Sequence, residues 1–212
     1  MKLIKRLTAL VMAMTLLIFC GCTSNNQNDI TTAENADTIT FTDDLEREVT
    51  VGKSPQNVAA LIGSFADVWI LAGGSICAAP EDAWSDFGLE LGDAVNLGGA
   101  HSPSLEQLLS AEPDFVIASA STAADVDMKD VLENAGIAVA YFDVDCFEDY
   151  LNMLNVCTDI TGRKDLYEQN GLNIQKKIDN IRENMNNKNV PEKKKTVLML
   201  RAASGFVKAK GS

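Results

Sequence analysis

Three short, uninterrupted apolar runs, residues 58–62, 115–118 and 137–142, constrain the fold of this 212-residue chain more than any other feature. A strand with one wet face alternates apolar and polar residues, whereas an unbroken run of this length needs apolar neighbours on both faces. Residues 75–79 and 94–97 are weaker candidates for the same role. Between the runs lie helical segments with readable ends. Residues 65–72 close at Gly73-Gly74, residues 126–135 at Gly136 and residues 147–161 at Gly162, glycine being the residue that tolerates the left-handed helix stop. Residues 103–110 start with Ser102 as N-cap and Pro103 in the first helical position. Strands alternating with helices need crossover connections, so the chain reads as α/β, with a parallel sheet flanked by helices.

The segments on either side behave differently. Residues 38–41 and 47–51 alternate apolar and polar side chains around Asp43-Asp44-Leu45, the pattern of a hairpin. Residues 164 to about 189 read as one long helix, with Ile174, Ile178, Ile181 and Met185 on a single face and Gly171 as its weak point. Pro191 and the basic residues 193–195 then lead to an apolar strand at 196–200 with nothing after it to pair with, which implies a second domain of which only the start is present.

At the other end, Lys2, Lys5 and Arg6 precede an uncharged apolar run at 7–19. This is the layout of a secretory signal over residues 1–21, and the run is short of the roughly 20 residues that span a bilayer. Phe19-Cys20-Gly21-Cys22 resembles the bacterial lipoprotein box. Cys22, preceded by small Gly21, fits lipidation better than Cys20, preceded by bulky Phe19. The resemblance implies an exported protein, lipid-anchored to the extracytoplasmic face of the cell membrane. Residues 22–37, polar and rich in Asn and Thr, then form a flexible tether. The net charge of −12 repels nucleic acid and anionic lipid. Cys77, Cys146 and Cys157 are widely spaced and odd in number, which suits small buried hydrophobes better than a disulfide framework or a zinc site.

Several stretches together resemble one family. Thr42-Asp43-Asp44-Leu45, Arg47-Glu48-Val49-Thr50-Val51 and Pro55-Gln56-Asn57-Val58 resemble its opening hairpin and first strand. Asn96-Leu97-Gly98-Gly99 with Pro103-Ser104-Leu105-Glu106, then Glu112-Pro113-Asp114-Phe115-Val116-Ile117, is similar to its most distinctive stretch. Leu132-Glu133-Asn134-Ala135-Gly136-Ile137 and Asp159-Ile160-Thr161-Gly162-Arg163 complete the match, over about residues 38 to 212. The family is that of the substrate-binding proteins serving ABC importers of ferric siderophores, haem and cobalamin. The resemblance implies an N-terminal α/β lobe at 38–163, a rigid inter-lobe helix at 164–190 and the start of a second lobe at 191–212. It further implies a monomer that captures a metal chelate, foremost a ferric siderophore, in a cleft and hands it to the permease, without a cofactor.

In open α/β sheets ligands sit beyond the carboxyl ends of the strands. That rule selects residues 63–66, 80–84, 100–102, 119–122 and 143–146 and, within them, Ser64, Phe65, Trp84, His101, Ser119 and Asp143 as candidate ligand contacts. Ser64 either caps its helix or faces the ligand. Phe65 and Trp84 offer flat apolar surfaces for an aromatic catecholate or a macrocycle, Trp84 alternatively closing the core. His101, the single histidine, stands at the head of a helix and either ligates haem iron or hydrogen-bonds the helix start; one histidine argues against a bare Zn or Mn site. Glu106 matches the family's glutamate that pairs with a permease arginine, or is an ordinary solvated helix-face acid.

An enzyme finds little support: the chain has no Gly-x-Ser-x-Gly elbow, no phosphate loop and no second histidine for a triad. A vestigial, non-transporting surface lipoprotein stays open as a third reading, since half a cleft should bind weakly.

Overall fold

The computed structural model describes residues 38–186, 199–203 and 206–210. The signal (1–21), Cys22 with its tether (22–37), the last turn expected of the long helix (187–189) and the basic cluster 193–195 lie outside the described residues.

Five parallel strands form the central sheet: β3 (Val58–Ala60), β4 (Ala78–Ala79), β5 (Val95–Asn96), β6 (Phe115–Ser119) and β7 (Ala138–Phe142), in the order β5-β4-β3-β6-β7. The apolar runs are strands because both faces are covered. Val58, Ala60, Phe115, Ile117, Ala140 and Phe142 enter one packed layer, while their strand neighbours Ala59, Val116, Ala118, Val139 and Tyr141 enter the other. The first layer is closed by α1 (Gly63–Leu71) and α6 (Phe147–Thr161), the second by α3 (Leu105–Ser110) and α5 (Lys129–Asn134). Trp69 of α1 is 1% exposed, meets Phe115 edge-on and donates its indole N–H to Ser75 O at 2.9 Å, so the largest core residue leaves no polar atom unpaired.

The expected hairpin is present as β1 (Thr38–Thr42) and β2 (Glu48–Gly52), Thr38 pairing with Gly52 and Thr42 with Glu48, and its turn closes the β7 edge of the sheet. Asp44 N–H donates to Tyr141 O at 2.9 Å, and Tyr141 N–H donates back to the Asp43 carboxylate at 3.2 Å. Arg47 lies over the Tyr141 ring, 4.9 Å from its centroid, and pairs with Asp43 and Glu133. An open edge is thus covered by a turn whose buried acid is held by an arginine and by backbone N–H groups.

Four sequence expectations are corrected. First, α3 starts two residues late: Ser104, extended at ψ 111°, is the cap and accepts Gln107 N–H at 3.3 Å. Ser102 belongs to the preceding turn, its N–H donating to Gly99 O at 2.9 Å, and the chain enters the helix only after Ser104. Second, the helix expected at 126–135 is two, α4 (Ala123–Asp127) and α5, because buried Met128 bonds back three residues to Asp125 O and breaks the four-residue ladder. Third, the final strand, β8 (Met199–Ala203), does have a partner, pairing antiparallel with β9 (Phe206–Lys210). Fourth, only Cys157 is a buried hydrophobe; Cys77 is half-buried, and Cys146 is exposed at the start of α6, where its N–H donates to Asp149 at 2.9 Å.

The long helix is present as α7 (Lys164–Tyr167), a π-helical turn (Glu168–Leu172) and α8 (Asn173–Asn186). Gly171 marks a close approach: a Cβ there would stand 2.9 Å from Leu151 Cδ2 of α6. The extra residue of the π turn lets the helix hug α6, and Asn170 and Tyr150 tie it down, Asn170 Nδ2 donating to Leu71 O (2.8 Å) and Tyr150 OH to Asn170 O (2.9 Å). Beyond that anchor Ile181 and Met185 are 60% and 67% exposed, so the apolar stripe of α8 has no cover among the described residues.

Candidate functional site

All five strands run parallel, so the loops that follow them leave one edge of the sheet. The chain goes from β3 outward to β4 and β5, then returns to the other side of β3 to lay down β6 and β7. The direction therefore switches between β3 and β6, and a crevice opens where two adjacent loops diverge. The short turn at 61–62 that leads from β3 into Gly63 of α1 and the loop at 119–122 border it, flanked by α2 (Asp82–Ser85) on one side and residues 143–146 on the other.

Each bordering loop is held by a carboxylate from a neighbouring segment. Asp82 Oδ2 accepts Gly63 N–H at 3.1 Å, joining the β3 and β4 loops. Asp125 Oδ2 accepts Ser119 N–H at 2.9 Å, folding the β6 loop onto α4. Asp44 Oδ2, from the hairpin turn, accepts Asp143 N–H at 2.7 Å. Asp82 and Asp125 each keep a second oxygen that is buried without a hydrogen-bond partner. Burial pushes the Asp125 carboxyl up to about 7, against the opposing pull of the Ser119 N–H.

The expected contact residues fall into two groups. Trp84, half-buried on α2, packs part of its ring on the first core layer and leaves part exposed. Ser64 is half-buried and does not cap α1, whose N-cap is Ile62. His101 and Asp143 are exposed; His101 sits in the 99–102 turn rather than at the head of α3, four residues before its first residue. Two residues are not surface features. Phe65 is 7% exposed and edge-on to Phe142 at 6.4 Å, so no ring face is offered to a ligand. Ser119 is 3% exposed and shares a hydrogen bond with Ser121 Oγ. Glu106 is exposed in the first turn of α3. Sequence reasoning missed Asp82 and Asp125, which are isolated acids until the fold sets each beside a backbone N–H.

A cavity of about 220 Å³ lies at the opposite, amino-terminal edge, lined by Gln56, Trp69, Gly74 and Thr161 among others. It is remote from the carboxyl edge of the sheet.

The model of the family described as periplasmic binding protein matches residues 58–212. The chain belongs to that family. Its name places members outside the cytoplasm, and it is a family of substrate-binding proteins. No curated protein matches the chain. Among solved structures, the petrobactin-binding protein YclQ from Bacillus subtilis superposes with a TM-score of 0.64 at 19% identity, covering 82% of this chain and 61% of that one. PiuA, an iron-uptake ABC transporter substrate-binding protein from Streptococcus pneumoniae, gives 0.58 at 22% identity, covering 82% and 60%. The catecholate-siderophore binding protein VctP from Vibrio cholerae gives 0.60 at 14% identity, covering 82% and 62%. At these identities the likeness is one of fold. This periplasmic binding protein chain spans about three fifths of the length of those relatives.

Proposed function

We propose that the chain supplies the first wall of a solute-binding lipoprotein of an ABC importer that captures a metal chelate, foremost a ferric siderophore, and delivers it to the permease. Residues 38–163 are its N-terminal lobe and the helix from Lys164 the link to a second lobe beginning after 190. The observation that carries the reading is the row of carboxylate-held loops at the switch point of a parallel sheet, in a fold shared with proteins described as binding petrobactin and catecholate siderophores. Rigid loops suit recognition without chemistry: a preorganised wall loses little entropy when a ligand docks. Capture is non-covalent, and no bond is made or broken. Cys22 carries the lipid that holds the protein at the membrane, and exposed Glu106 meets a basic residue of the permease.

Haem is the second reading, because the single histidine, His101, is exposed on the same edge, one strand beyond β4. Cobalamin shares the family but has no feature here in its favour. Tryptophan fluorescence of the full chain tests the choice, since half-buried Trp84 reports on the edge while Trp69 is buried background. Saturable quenching by a ferric catecholate, absent with the iron-free catechol and unchanged in His101→Ala, supports the siderophore reading. Quenching by haemin that His101→Ala removes supports haem, and no saturable response to either overturns the binding role.

A further inference from the structure

We propose that Asp125 is a proton-linked positioning residue: it sets the 119–122 loop at the switch point in register, and so ties the shape of the ligand-facing edge to pH. The inference rests on the binding role above and adds a regulation to it.

The geometry is that of a carboxyl with too few partners. Asp125 is 0% exposed, one oxygen accepts the Ser119 N–H, and the other, equally buried, meets no donor. No cation pairs with it among the described residues. The groups that face it are Ser119 from β6 and Tyr141 from β7, whose hydroxyl donates to the Asp125 backbone carbonyl at 2.9 Å. Behind the Tyr141 ring stand Arg47 and Asp43 of the hairpin and Glu133 of α5, too occupied with one another to neutralise Asp125. An ionised Asp125 thus leaves half its charge bare in an apolar layer, and a buried charge in that position either takes up a proton or draws its segment toward water.

The sign follows from the raised value. The folded state holds the Asp125 proton up to about pH 7, whereas the unfolded chain releases it near 3.8. The native state therefore binds more protons across that window, so the stabilisation is complete below about pH 4 and is lost as pH rises toward 7. The 119–122 loop is most firmly seated at acid pH, loosens as pH rises toward neutrality and changes little above it.

The test is hydrogen exchange at the Ser119 amide of the full chain, wild type against Asp125→Asn, compared at equal pH between 5.5 and 8.5. Affinity for a ferric catecholate is read in parallel by tryptophan quenching. The asparagine cannot titrate, so protection in the wild type relative to the variant is expected to fall on the order of tenfold across the range. Ratios that stay flat overturn the proposal. A carbon-13 titration of the wild-type Asp125 carboxyl needs no variant: a midpoint near neutrality supports the proposal, and one below pH 5 overturns it. A pH-dependent loop with no chelate bound at any pH sinks the binding role and leaves the proton latch standing. Binding with pH-insensitive protection at Ser119 does the reverse.

Discussion

Replacing Gly63 by alanine tests the idea that the β3 and β4 loops are locked together. A Cβ on Gly63 would lie 2.6 Å from Ala83 N and 2.9 Å from both Ala83 Cα and the Asp82 carbonyl carbon. All three are backbone atoms, so no rotamer change relieves the clash and the two loops must part. Overpacking of this kind costs about 1–3 kcal/mol. Parting the loops also breaks the Gly63 N–H bond to Asp82, whose other oxygen is already unpartnered, adding about 1 kcal/mol or more. Alanine returns about 0.5–1 kcal/mol through its helix preference and the stiffer unfolded chain. The net loss is about 1–3.5 kcal/mol, which for a chain of this size lowers Tm by roughly 2–14 °C. Thermal unfolding followed by circular dichroism measures it, with Gly52→Ala as control because open space surrounds that position. A Gly63→Ala protein that melts within about 1 °C of the wild type, inside the scatter of such scans, would refute the locked-loop reasoning.

Arg47→Met keeps much of the side-chain volume but leaves the Asp43 carboxylate buried beside the β7 edge without its cation. A loss of about 3 kcal/mol is expected, seen as a lower urea midpoint at unchanged slope. Ser104→Ala removes the cap of α3 and should cost about 1 kcal/mol in the same assay, whereas Ser102→Ala should change nothing measurable. Glu106→Lys reverses a charge on an exposed helix face, so unfolding should shift by no more than about 0.5 kcal/mol. The same change should abolish stimulation of the cognate permease's ATPase in reconstituted vesicles, and full stimulation by the variant would remove Glu106 from the docking surface.

What could be read from the sequence was set by burial and by local backbone chemistry. A short continuous apolar run such as 115–118, just after Pro113, suits a doubly covered strand, and Gly162, at φ 72°, ends α6 where a side chain would be strained. The order of those signals fixed the α/β class and the parallel sheet, and the Leu105-Glu106 and Pro113-Asp114 stretches carried the family. The site was only partly legible. The rule that ligands gather at carboxyl ends of strands singles out one edge from strand direction alone, and Trp84, His101 and Asp143 are at least partly exposed there.

Which side chains face outward there was decided by tertiary packing. Phe65 and Trp84 look alike in sequence, yet one fills the angle against Phe142 while the other lies half in water. Asp82 and Asp125 stand 19 and 6 residues from the N–H groups they hold, and nothing local to either acid names its partner. Where the chain must hide its apolar surface follows from the residues in order, since transfer from water is a property of each residue and its immediate neighbours. Which carboxylates became clamps, and that Asp82 and Asp125 each kept an unpartnered oxygen, was set by the closed fold, because hydrogen bonds depend on distances that it alone creates.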